Sequence, residues 1–215
     1  MNVTAEAREY AEELIEQGNK RMEELVMENG VCVHDYTGAR KCFERAIQFD
    51  KYSSNAHRSL GKLLCSYHFK QYKEALQQFS LAIECDPNDY WAYIERGQLY
   101  AGIDSDFNNN QYRQANLKNI SKAIEDFTSA IDIRPTEYAA YFDRAECYQE
   151  LKQYEKAIED FNEVVEFELE WSTAYSARGH CYEAWGKMDK ARADFAERDR
   201  LEAIEEAQKN LRYTY

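Results

Sequence analysis

Four histidines, six cysteines and 40 acidic residues are the groups in this 215-residue chain that could bind a metal, attack a substrate or move a proton. The cysteines are Cys32, Cys42, Cys65, Cys85, Cys147 and Cys181, spaced by 10, 23, 20, 62 and 34 residues. A zinc site needs closely spaced thiolates or imidazoles, and no Cys-x-x-Cys pair and no suitably spaced histidine is present. His34, His57, His68 and His180 are scattered, and none stands at a recognisable spacing from a carboxylate. Asp104, Asp106 and Asn108 alternate like the start of a calcium loop. Its sixth position is Asn109 instead of Gly, and its twelfth is Ala115 instead of Glu. Glu125-Asp126 and Glu159-Asp160 are sequence neighbours, read as solvated charge on outer helix faces and not as acid–base pairs. There is no Gly-rich phosphate loop and no His-Glu-x-x-His. The expectation is a non-enzyme with no catalytic residue, no metal ligand and no cofactor. An enzyme with its site at residues 104–111 is the less favoured reading.

The elements that would position these groups are helices. Seventeen Tyr and ten Phe stand against only two Pro and eight Gly, a composition that suits helices packed on helices and not a loop-rich sheet fold. The formal charge of −13 argues against a phosphate backbone as partner. The acidity is uneven: residues 138–171 hold 10 acids and 3 bases, residues 1–34 hold 8 and 3, and residues 172–215 balance at 8 and 8. The first residues lack a basic start followed by an apolar run, and no stretch has the apolar length of a membrane span. These features point to a cytoplasmic protein with reduced thiols and no membrane insertion.

A repeat runs through the chain. Tyr141-Phe-Asp-Arg-Ala-Glu-Cys-Tyr148 and Tyr175-Ser-Ala-Arg-Gly-His-Cys-Tyr182 align at an offset of 34 residues, as do Ala157 and Phe161 with Ala191 and Phe195. Tyr93-Ile-Glu-Arg-Gly-Gln-Leu-Tyr100 repeats the frame, and Ala123-Ile-Glu-Asp-Phe127 nearly duplicates Ala157-Ile-Glu-Asp-Phe161. Apolar residues at 123, 124, 127, 130 and 131 make a helical stripe. These motifs resemble the tetratricopeptide repeat family, whose first helix carries a small residue at Gly61, Gly97, Ala145 and Gly179 and whose second carries the Ala and Phe positions. The resemblance implies an all-α fold, an α/α superhelical solenoid of about five hairpins in a single domain, residues 1–215. A degenerate unit covers about 11–53, with Leu14 and Gly18 marking its first helix. Full units cover 54–89, 90–137 with a 14-residue insertion, 138–171 and 172–203. A charged capping helix covers about 190–212. The proline that closes a unit is absent after the last two, and the bulky run Val164–Trp171 is expected to seal the first of those joints.

The family resemblance also implies a function: holding a partner protein or peptide in a concave groove lined by first helices. Carried over by register, the partner-binding residues are Arg58, Lys62, Trp91, Ile94, Gln98, Phe142, Glu146, Ser176 and His180. Trp91 and Phe142 are the expected apolar anchors. Arg58 and Lys62 make the first full unit basic, so the partner is expected to be acidic toward that end and basic toward the third unit. The carboxylate clamp of chaperone-binding members is not expected, since Glu95, Ala139 and Asp143 stand where it needs Asn, Lys and Arg. An alternative within binding is a bacterial secretion-type chaperone for an apolar client.

Overall fold

The computed structural model describes residues 3–23, 25–28, 31–66, 68–102 and 116–212. In order these form α1 (Ala5–Glu23), β1 (Leu25–Glu28), β2 (Val31–His34), α2 (Tyr36–Phe49), α3 (Ser54–Cys65), α4 (Tyr72–Cys85), α5 (Tyr90–Ala101), α6 (Asn116–Ile133), α7 (Tyr138–Glu150), α8 (Tyr154–Phe167), α9 (Ser172–Ala184) and α10 (Met188–Arg212). The class is all-α, as the repeat implies. By contacts the chain divides into two compact units, residues 1–108 and 109–215. The insertion at 104–111 lies outside the described residues, and so do the calcium-like alternation and the enzyme reading attached to it.

In unit 1, α1 packs on α2, α2 on α3, α3 on α4 and α4 on α5. Each hairpin is built around one phenylalanine. Phe43 and Phe79 are wholly buried, with Ala39, Ala46, Ala75 and Ala82 beside them at zero exposure. The opposing glycine is what admits the ring: a Cβ on Gly61 would lie 2.6 Å from Phe79, closer than carbon atoms can approach. Gly18 faces Phe43 in the same way, which makes α1 and α2 a complete first hairpin and confirms the register of its Leu14 and Gly18. Asp35, Ser53 and Asp89 cap α2, α3 and α5 by accepting from the amides of Gly38, Ala56 and Ala92, satisfying donors that a helix leaves open at its start.

An antiparallel hairpin between α1 and α2 departs from a helix-only reading: Leu25 pairs with His34, Val26 with Val33, Met27 with Cys32 and Glu28 with Val31. The intervening dipeptide in sequence is Asn29-Gly30, the strongest short-range hairpin signal when apolar runs flank it.

In unit 2, α6, α7, α8, α9 and α10 pack in succession. Phe127 and Phe161 are wholly buried, and a Cβ on Gly179 would lie 2.6 Å from Phe195. The turn after α7 places Lys152 at φ 58°, and the turn after α9 places Gly186 at φ 79° at the equivalent position. The amides of Gln153 and Lys187 then reach the carbonyls of Tyr148 and Tyr182 at 2.8 Å, the six-to-one bond of a Schellman ending.

The joint between α8 and α9 is sealed by Val164, Val165 and Ala174, with Tyr138, Tyr141, Phe142, Trp171 and Tyr175 packed around them. Phe167 and Leu169 of the same run stay exposed, so only part of the sequence run does the sealing. In the last hairpin Arg198 and Asp199 occupy the places of Val164 and Val165. Arg198 lies over the Phe195 ring at 5.1 Å. α10 continues past this position as one helix to Arg212.

Candidate protein-interaction surface

Buried polar clips, absent from the sequence reading, tie the hairpins of unit 2 together. Arg144 of α7 donates to both oxygens of Asp160 on α8 (Nε–Oδ2 2.8 Å, Nη2–Oδ1 2.7 Å) and to Thr128 on α6 (3.1 Å). Arg178 of α9 repeats the arrangement one hairpin on, with Asp194 on α10 (2.9 and 2.7 Å) and Asn162 on α8 (2.9 Å). In unit 1, Arg96 donates to Ser80 at 3.0 Å from the same repeat position. Burial works against the charge of Arg144, but the hydrogen bonds and charge of Asp160 outweigh it and lift its pKa above the ordinary value. Asp126 and Asp160 are each only 5% exposed. Reading both as solvated surface charge is therefore corrected: Glu125 and Glu159 face solvent, while the adjacent aspartates point inward. The signal was present in sequence as an Arg three residues after Tyr in α5, α7 and α9 and an Asp before Phe in α6, α8 and α10.

The described histidines lie in ring and hydrogen-bond contacts, and Cys42, Cys147 and Cys181 are buried. His57 is buried, its Nε2 3.1 Å from the Lys51 carbonyl and its Nδ1 2.8 Å from the Gln78 amide. His34 and His68, distant in sequence, both lie against Tyr36 (ring centroids 5.5 and 4.7 Å). Burial pushes the thiols of Cys147 and Cys181 up to about 12 and 11, the reverse of what a nucleophile needs. Among the described residues no three His, Cys, Asp or Glu come together to hold a metal ion.

The first helices carry the remaining candidates. In unit 1 the register set by Gly18, Gly61 and Gly97 makes Glu12, Asn55 and Trp91 equivalent on α1, α3 and α5, and likewise Asn19, Lys62 and Gln98. Trp91 is 42% exposed, its ring edge-on to Tyr90. Ile94 is 2% exposed. It belongs to the core, because α5 turns that position inward, and it is removed from the contact set. Arg58 and Lys62 do not present free positive charge: Arg58 pairs with Asp89 at 3.2 Å and donates to Asn55 at 3.0 Å, and Lys62 pairs with Glu95 at 3.2 Å. Beside them an open groove of about 540 Å³ is lined by Glu9, Glu12, Glu13, Glu16 and Asn19 of α1 and by Asn55 of α3. The expectation of a basic first-helix face in unit 1 is corrected, because its bases are spent on interhelical pairs.

In unit 2, Phe142 is half-buried between Phe161 and Trp171 (ring centroids 5.7 and 5.0 Å). It packs hairpin on hairpin and is not an exposed anchor. Ser176 is half-buried, and its carbonyl lies 2.8 Å from Nδ1 of His180, which is exposed and edge-on to Phe195. Glu146 has its carboxyl pushed up to about 7, by burial first and by Asp143 and Glu150 next.

Models of the tetratricopeptide repeat match the sequence over residues 33–90, 79–115, 138–168 and 172–197. The chain belongs to the tetratricopeptide repeat family. The solved structures that this repeat protein resembles include a MamA protein at 20% identity and TM-score 0.70, covering 91% of this chain and 93% of that one. Another is MamA 41-end from Desulfovibrio magneticus RS-1, at 16% identity and TM-score 0.71, covering 94% and 98%. YrrB, titled a TPR protein with an unusual peptide-binding site, aligns at 15% identity and TM-score 0.65, covering 93% of each chain. No curated protein matches the sequence.

Proposed function

We propose that this tetratricopeptide repeat protein is a non-catalytic scaffold that holds a segment of a partner protein against the first-helix faces of its hairpins. The observation that carries the reading is the open groove on α1 and α3. Of its lining, Ile15 belongs to the core and Asn55 is held by Glu12 and Arg58, while Glu9, Glu13, Glu16 and Asn19 are exposed. Exposed Trp91, Lys62 and His180 lie on first helices too. A partner of nucleic acid is disfavoured by the charge of −13. Glu95 and Asp143 at the clamp positions disfavour a carboxylate clamp. The apolar-client chaperone is disfavoured by the carboxylates that line the groove. The five described cysteines are free thiols, which fits the cytoplasm. No described helix is long and apolar enough to cross a membrane.

The test is a partner captured by the tagged full chain and titrated against variants. Trp91→Ala or His180→Ala is expected to weaken capture, and Glu159→Lys, on an outer face, is expected to leave it unchanged. The reverse pattern overturns the reading.

A further inference from the structure

The groove on unit 1 says more about its occupant than that it is a protein. Three independent features of this face bear on it. The first is its shape: α1 and α3 leave an open channel of about 540 Å³. The second is its charge. Glu9, Glu12, Glu13 and Glu16 stand on one stripe of α1, spanning roughly 10 Å at the helical rise of about 1.5 Å per residue. Among the described residues none of the four is in an ion pair: Arg8 turns to Asp50, and the bases of α3 turn to Asp89 and Glu95 on the side of α5. Only Glu12 is engaged, accepting from the Asn55 amide at 3.1 Å. Like charges three and four residues apart repel on a helix, so the stripe costs stability that a cationic occupant would return. The third is the exposed indole of Trp91, at the repeat position shared with Glu12 and Asn55. The core does not use this ring face, and it offers either an apolar contact or a cation–π contact to a basic side chain.

Resting on the scaffold reading above, we propose that the first-helix face of unit 1 selects a basic segment of its partner, with lysines or arginines along α1 and an apolar or cationic side chain on Trp91. The exposed Asn19 amide can take main-chain groups of the segment. Selectivity is electrostatic, so the charges set orientation and on-rate while the indole contributes much of the affinity.

The experiment uses the full chain and two dye-labelled probes followed by fluorescence anisotropy: a lysine–leucine peptide and its glutamate–leucine counterpart. The lysine peptide is expected to bind and the glutamate peptide not. Glu12→Gln with Glu16→Gln is expected to weaken binding roughly three- to tenfold, the scale of two exposed ion pairs. Trp91→Ala is expected to weaken it about fivefold or more. Both variants keep their helices by circular dichroism, since each changes an exposed position. Glu159→Gln with Glu163→Gln, an equal loss of charge from unit 2, is expected to have no effect. Equal weakening by both double variants would mean attraction to net charge alone and overturns the proposal. So does displacement of the lysine peptide by spermidine at equal charge, which would make the site one for small polycations. Binding of neither peptide, or preference for the glutamate peptide, also overturns it. The scaffold reading fails separately, through the capture pattern on His180→Ala and Glu159→Lys.

Discussion

Removing one partner of the Arg144–Asp160 clip is the sharpest test of how unit 2 is held together. The two side chains are 16% and 7% exposed and meet through two parallel hydrogen bonds of 2.8 and 2.7 Å. Asp160→Ala leaves a guanidinium buried among α6, α7 and α8 with only Thr128 and the rings of Tyr141 and Tyr148 beside it. Stranding one member of a buried pair costs about 3–5 kcal/mol, whereas replacing both by apolar residues of similar volume is close to neutral. Asp160→Ala should therefore lower the urea midpoint far more than Arg144→Met with Asp160→Leu. Hydrogen exchange should show the loss in α6, α7 and α8. Thr128→Val should couple to Asp160→Ala in a double-mutant cycle, because both touch one guanidinium. The exposed pair Arg192–Asp189 (74% and 101% exposed) is the control and should show no measurable change. If Asp160→Ala stays within about 0.5 kcal/mol of the parent, the clip is not the determinant described here.

Other perturbations read other parts of the account. Gly61→Ala should destabilise unit 1 by about 1–3 kcal/mol, because its Cβ would press on Phe79 at 2.6 Å; an unchanged urea midpoint would mean the hairpin opens at no cost. Phe127→Ala, which empties a fully buried site, should cost about 3–5 kcal/mol by thermal or urea melting. Lys152→Gly should stabilise unit 2 by roughly 0.5–1 kcal/mol, since Lys152 sits at φ 58° where Gly186 sits in the next turn. Glu146 has a folded-state pKa of about 7 against an ordinary 4.5. The folded chain then holds a proton that the unfolded chain releases, so this group's contribution to stability falls as pH rises from about 4.5 to 7. Glu146→Gln should flatten that slope in urea midpoints measured across the window.

The hairpins, their order and their Gly–Phe contacts were legible because each rests on one small and one large residue at fixed helical spacing, as in Gly61 with Phe79 and Gly179 with Phe195. The strand pair at 25–34 was not read, although the sequence sets Asn29-Gly30 between two apolar runs, because its two four-residue strands fall in the most degenerate of the repeat units. Side-chain direction was the harder matter. Asp160 and Glu159 are neighbours of one charge type, and only the arginine one helix away decides which is buried. For Arg58 and Lys62, charge at a groove position did not mean charge available to a partner, because Asp89 and Glu95 stand on the next first helix. Ile94 and Phe142 share a repeat position with Arg58 and Ser176, yet Ile94 is buried and Phe142 packs against Phe161 and Trp171.

The scaffold claim is tested most directly by mapping contacts with a photo-reactive amino acid in the full chain. The probe is placed in turn at Asn55 and His180 on first helices, and at Lys73 and Glu159 on second helices. Crosslinks to a partner protein from the first-helix positions, with none from the second-helix positions, are the predicted result. Crosslinks confined to Lys73 and Glu159 would put the partner on the opposite face and contradict the account.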